Sequence, residues 1–135
     1  MKFETLVIAD TLVVRVQDTN FDVRGVKQFK RDVFMAISEA EFKNILINMT
    51  NVRMVDSTGL GGLLFAKRQA DIKGGNCYLV NPQSKIQSLI KISKLENVFE
   101  IVESEEKVLP ARPKKKKKSA SKQVSTNQEE SQPES

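Results

Sequence analysis

The sequence has no histidine, only one cysteine, and no apolar stretch approaching the ~20 residues a membrane helix needs. Each absence removes a class of function. Without histidine the commonest general base is missing, and Ser57 has no evident base beside it. There is no Gly-x-x-x-x-Gly-Lys-Ser/Thr phosphate loop and no cysteine pair for zinc, so neither a cofactor nor a metal is expected. Cys77, inside the apolar run Asn76-Cys77-Tyr78-Leu79-Val80, has no intramolecular partner and reads as a buried, inert thiol. The start, Met1-Lys2-Phe3-Glu4-Thr5, lacks the apolar segment of a signal peptide, which gives a cytoplasmic expectation.

What is present divides into two parts. Apolar residues are dense up to Leu109 and then nearly vanish, which predicts a folded domain over 1–109 and a disordered tail over 110–135. The net charge of +5 belongs mostly to that tail, where Arg112, Lys114 to Lys118 and Lys122 outnumber Glu129, Glu130 and Glu134. The first 109 residues hold 15 basic and 14 acidic side chains, so the domain has no field to steer a polyanion, and no specific DNA binding is expected. No aromatic residue separates the tail lysines to stack on bases. A solvated charge run, or at most an accessory surface contact, is the reading there.

Hydrophobic periodicity predicts alternating strands and helices. Residues 3 to 17 read as two strands turned at Ala9-Asp10-Thr11. Val26, Phe29, Val33 and Ile37 line one face of a helix ending near Glu41. Ile45 to Met49 suits a strand covered on both faces. A helix follows Asp56-Ser57-Thr58-Gly59 and runs to Ile72, with Gly74-Gly75 as its stop. Cys77 to Val80 and Val98 to Val102 read as strands, and Ile86, Leu89 and Ile90 as a helix face between them. Such alternation predicts an α/β sandwich on a mixed, mostly parallel sheet of about five strands with helices packed on it. Met35, Met49, Met54, Phe29, Phe34 and Phe65 are core candidates.

The segment Val52 to Leu64 breaks this apolar pattern with a polar, glycine-bearing loop between a strand and a helix. Ser57 stands where an N-cap belongs, and a phosphate there would meet the positive end of the helix. Gly59, Gly61 and Gly62 leave the first turns without bulk, so another protein's backbone could approach. A serine before a helix is most often only a cap.

Asp56-Ser57-Thr58-Gly59-Leu60-Gly61 resembles the signature Asp-Ser-Ser/Thr-Gly-Leu-Gly of the STAS family (sulphate transporter and anti-sigma factor antagonist). Similarity extends from the strand Ile45 to Met49 through the glycine turn and strand Gly74 to Val80 to the element Leu95 to Val102. The resemblance implies a STAS-type sandwich and an anti-sigma factor antagonist that binds an anti-sigma factor of the serine kinase type when unphosphorylated, so releasing a sigma factor. It places the phosphosite on Ser57 rather than on its neighbour Thr58, and a partner-binding surface on Asp22, Asp56, Ser57, Thr58, Gly59, Leu60 and Gly61. It also implies a serine phosphatase acting on phospho-Ser57, and no catalysis by the chain itself. Asp22 corresponds to an acidic residue near the serine, although Thr19-Asn20-Phe21-Asp22 replaces the family's usual Gly-Glu-Leu-Asp. Two other family roles stay open: a scaffold subunit of a stress-sensing complex, or a soluble accessory subunit of a lipid or anion transporter. Lys67, Arg68 and Asp71, on the helix after Ser57, are further candidates for touching a partner.

Overall fold

The computed structural model describes residues 2–110. Strands β1 (Phe3–Ile8) and β2 (Thr11–Val16) form the expected antiparallel hairpin, pairing Ile8 with Thr11 at the turn. The chain continues through a short β3 (Asn20–Phe21), α1 (Val23–Glu39), β4 (Asn44–Asn48), a short β5 (Met54–Val55), α2 (Ser57–Ile72), β6 (Cys77–Val80), α3 (Ser84–Ile92) and β7 (Glu100–Val102). A 3-10 turn, Glu105–Lys107, closes the described chain.

The main sheet has the order β1-β2-β4-β6-β7, parallel throughout except for β1. Each parallel step is bridged by a helix, as parallel neighbours require. Side chains alternate across the sheet with period two. Leu12, Val14, Ile45, Ile47, Cys77 and Leu79 face a core shared with Val26, Phe29 and Val33 of α1, Leu63, Ala66 and Ala70 of α2, and Ile86 and Ile90 of α3. Burial pushes the Cys77 thiol up to about 12, so it stays protonated at neutral pH, as the inert reading requires. Val13, Leu46 and Val80 point to the other face, where Val108 and Leu109 of the chain's last described turn cover them.

That second face carries a polar anchor. Arg15 and Asn48 are register partners on β2 and β4, and both donate to Glu105, Arg15 at 2.9 and 2.8 Å and Asn48 at 2.7 Å. The Arg15 hydrogen bond, with help from Asn48, holds the Glu105 carboxyl below its ordinary value against the opposing effect of burial. Arg15→Met strands this carboxylate, whose side chain is only 19% exposed, and is expected to cost about 2 kcal/mol, between exposed and fully buried pairs. Because the folded-state value is depressed, the stabilisation is present above the ordinary carboxylate range and is lost as pH falls through the folded value below it. Urea midpoints from neutral to acid pH should fall more steeply for wild type than for Arg15→Met.

The structure corrects several expectations. The first helix starts at Val23, three residues earlier than Val26, because Asp22 caps it. It ends at Glu39, near Glu41 as expected, and the last strand starts at Glu100 rather than Val98. Met49, Phe29 and, in part, Phe65 are in the core, but Phe34 (57%), Met35 (52%) and Met54 (54%) are exposed. Phe34 and Met35 fall roughly 100° and 200° around the helix from Val33, off the stripe that meets the sheet. Met54 points opposite to its buried neighbour Val55, as strand alternation dictates. The expected tail lies outside the described residues from 111 onward, with Arg112 and Lys114 to Lys118.

Candidate functional site

Two short strands assemble the site. β3 and β5 pair in parallel, Asn20 with Met54 and Phe21 with Val55, and the amides of Arg53 and Met54 donate to the Thr19 carbonyl. The next residue on each strand is an aspartate, so Asp22 and Asp56 emerge side by side and start α1 and α2 level with each other. Gly59 makes this approach feasible: a Cβ there would sit 1.9 Å from the Phe21 carbonyl oxygen.

Each aspartate caps its own helix. Asp56 Oδ1 accepts from the Gly59 amide at 2.7 Å, and Asp22 Oδ1 accepts from the Arg24 amide at 3.1 Å. The expectation that Ser57 is the N-cap is therefore corrected, since Ser57 is the first residue inside α2 and leaves the capping to Asp56. Asp56 has a shorter reach to the third amide than a residue already in helical conformation, which cannot turn its side chain back along the first turn. Asp56→Ala is expected to cost about 1 kcal/mol of stability, read as a lower urea midpoint with unchanged slope.

Ser57, Thr58 and Gly61 are exposed, Leu60 is half-buried and Gly59 is buried. The structure thus brings Asp22, Asp56 and Ser57 together at one end of the α1–α2 pair, and places Gly59 beneath that surface as packing. Arg24 donates through Nη2 to Asp22 Oδ2 at 2.8 Å, and this bond is the largest cause holding the Asp22 carboxyl below its ordinary value. The sequence reading missed Arg24; its signal was a cation two residues after a helix-capping acid. Lys67 is paired with Asp71 one turn along α2, and Arg68 is exposed beside them. Among the described residues, no group of acidic or thiol side chains could hold a metal, and no helix is long and apolar enough to cross a membrane.

The profile of the STAS domain matches residues 2–108. The anti-sigma F factor antagonist of Lysinibacillus sphaericus is 26% identical over 90 residues, 67% of this chain and 76% of that protein. The Bacillus cell fate determinant SpoIIAA in its phosphorylated form shares the fold with TM-score 0.64 and 23% identity, over 79% of this chain and 96% of that one. An anti-sigma-factor antagonist (STAS) domain protein from Planctomyces limnophilus superposes with TM-score 0.70 at 13% identity, over 78% and 92% of the two chains. At these identities the structural likeness concerns the fold.

Proposed function

The chain belongs to the STAS domain family, and from that premise we propose that it is an anti-sigma factor antagonist controlled by phosphorylation of Ser57. Unphosphorylated, it binds an anti-sigma factor of the serine kinase type and thereby frees a sigma factor. The bound kinase ends the association by transferring the γ-phosphoryl group of ATP to Ser57 Oγ, with loss of the hydroxyl proton and release of ADP. A serine phosphatase acting on phospho-Ser57 resets the switch.

The observation that carries this reading is the position of Ser57: exposed, first in α2, and flanked by the two capping carboxylates. A hydroxyl there is open to another protein, and a phosphate there sits among negative charges. Two resemblances support it. A relative bears the name anti-sigma F factor antagonist, and the similar fold of SpoIIAA has been solved in both unphosphorylated and phosphorylated forms. Ser57 acts as the substrate hydroxyl of the kinase and not as a catalytic residue of this chain, since Asp56 Oδ1 is engaged by the Gly59 amide and the sequence has no histidine.

The test is an affinity pull-down from the native cell with wild type, Ser57→Ala and Ser57→Asp, identifying bound proteins by mass spectrometry. Wild type and Ser57→Ala are expected to retain a serine kinase that Ser57→Asp loses. Retention of the same scaffold or transporter proteins by all three overturns the antagonist role.

A further inference from the structure

The exposed face of α1 beside α2 carries a run of cations. Residues 23 to 31 of α1 include Arg24, Lys27, Lys30 and Arg31 and no acid before Asp32, four of the 15 basic side chains of a domain that has 14 acidic ones. Cations in the first turns oppose the helix dipole, so this placement works against the helix. Val23, Lys27, Lys30 and Phe34 recur at intervals of four, three and four, which makes one exposed stripe.

Two contacts fix that stripe against α2. The Phe34 and Phe65 rings meet edge to face with centroids 5.5 Å apart, and Lys30 Nζ stands 5.5 Å from the Phe65 centroid. On α2, Gly62 packs against Val26 of α1, and Ser57, Gly61 and Phe65 recur every four residues along the outer edge of that contact. Since β3 and β5 start the two helices level, the same register sets Val23 opposite Ser57 and Lys27 opposite Gly61 one turn along, and Lys30 follows at the Phe65 ring. Nothing stands within 4 Å of where a Gly61 Cβ would be, so the path between the lysines and Ser57 is open.

We infer that Lys27 and Lys30 are the receiving cations for a phosphate on Ser57, drawing it across the open Gly61 surface into the α1–α2 groove. This rests on the proposed phosphorylation of Ser57. Among the other charged groups, Asp22 and Asp56 oppose the phosphate, Arg24 is held by Asp22 with Asp18 acting on it too, Lys67 is paired with Asp71, and Arg53, just before β5, and Arg68, on α2, are exposed. The phosphorylated protein then covers the cationic and aromatic groove that the unphosphorylated protein presents.

The experiment is a 31P titration of the full chain carrying phosphoserine installed at position 57 during translation, which requires no kinase. Relative to the phosphorylated wild type, Lys27→Gln/Lys30→Gln is expected to raise the second phosphate pKa, ordinarily about 6, by about half a unit or more. About 1 M KCl should close the gap. A control pair on α3, Lys85→Gln/Lys91→Gln, should leave the curve unchanged. Superimposable curves for wild type and the α1 double variant overturn the inference. Should the double variant lose its circular-dichroism spectrum, each single variant carries the test with about half the shift. Absence of Ser57 phosphorylation in the cell would sink the functional reading while leaving this titration difference intact.

Discussion

Gly59→Ala is expected to lower stability by about 3 kcal/mol, whereas Gly61→Ala, two residues further along the same helix, is expected to raise it by about 0.5–1 kcal/mol. Both sites lie in the first turns of α2, so helix propensity favours alanine equally at each. They differ in their surroundings. A Cβ on Gly59 would come 1.9 Å from the Phe21 carbonyl oxygen and 3.0 Å from Val55 Cγ1, and the first of these neighbours is strand backbone that cannot swing aside. The strain must be relieved by parting β3 from α2, which also separates Asp22 from Asp56. A Cβ on Gly61 meets nothing within 4 Å, so only the gain in chain stiffness remains. Urea denaturation of the two variants checks this. A Gly59→Ala midpoint equal to wild type would mean that the two helix starts are not held in contact as described.

Phosphorylation of Ser57 is expected to weaken binding of the purified anti-sigma partner at least about a hundredfold, a difference of roughly 2.7 kcal/mol. The phosphate brings a charge of about −1.5 to −2 to a surface where Asp22 is kept ionised by Arg24 and Asp56 is adjacent. A partner that packs against the neutral hydroxyl must bury this group or draw back from it, and the desolvation of an unpaired anion opposes the first. Lys27 and Lys30 reduce repulsion within the chain without restoring that fit. Ser57→Asp carries a single charge on a shorter side chain, so its expected loss is smaller, about tenfold. Isothermal titration of the partner with wild type, Ser57→Asp and the phosphoserine protein should rank them in that order. Equal affinities would show that the partner does not read this position.

The sequence by itself determined the architecture. Period-two and helical spacings are local properties of side-chain direction, so the hairpin at Ala9-Asp10, the α1 stripe of Val26, Phe29 and Val33, the central strand expected over Ile45 to Met49 and found at Asn44–Asn48, and the stop at Gly74 were legible from the sequence. Gly74, with φ 81°, adopts the left-handed conformation that a helix stop demands. The signature Asp56 to Gly61 was likewise legible as a unit. The tertiary structure alone decided what that unit does locally. β3 and β5 are two residues each, too short to show a period, yet their pairing is what sets Asp22 beside Asp56 and aligns the two helices. Capping by Asp56 rather than Ser57 depends on where the helix actually begins, which composition leaves open by a residue. Phe34 and Phe65 both read as core on hydrophobicity alone, which carries no direction until the helical spacing is applied. Helical position sets Phe34 off the Val33 stripe, and the packing of α1 on α2 then decided that its ring meets Phe65 next to Lys30.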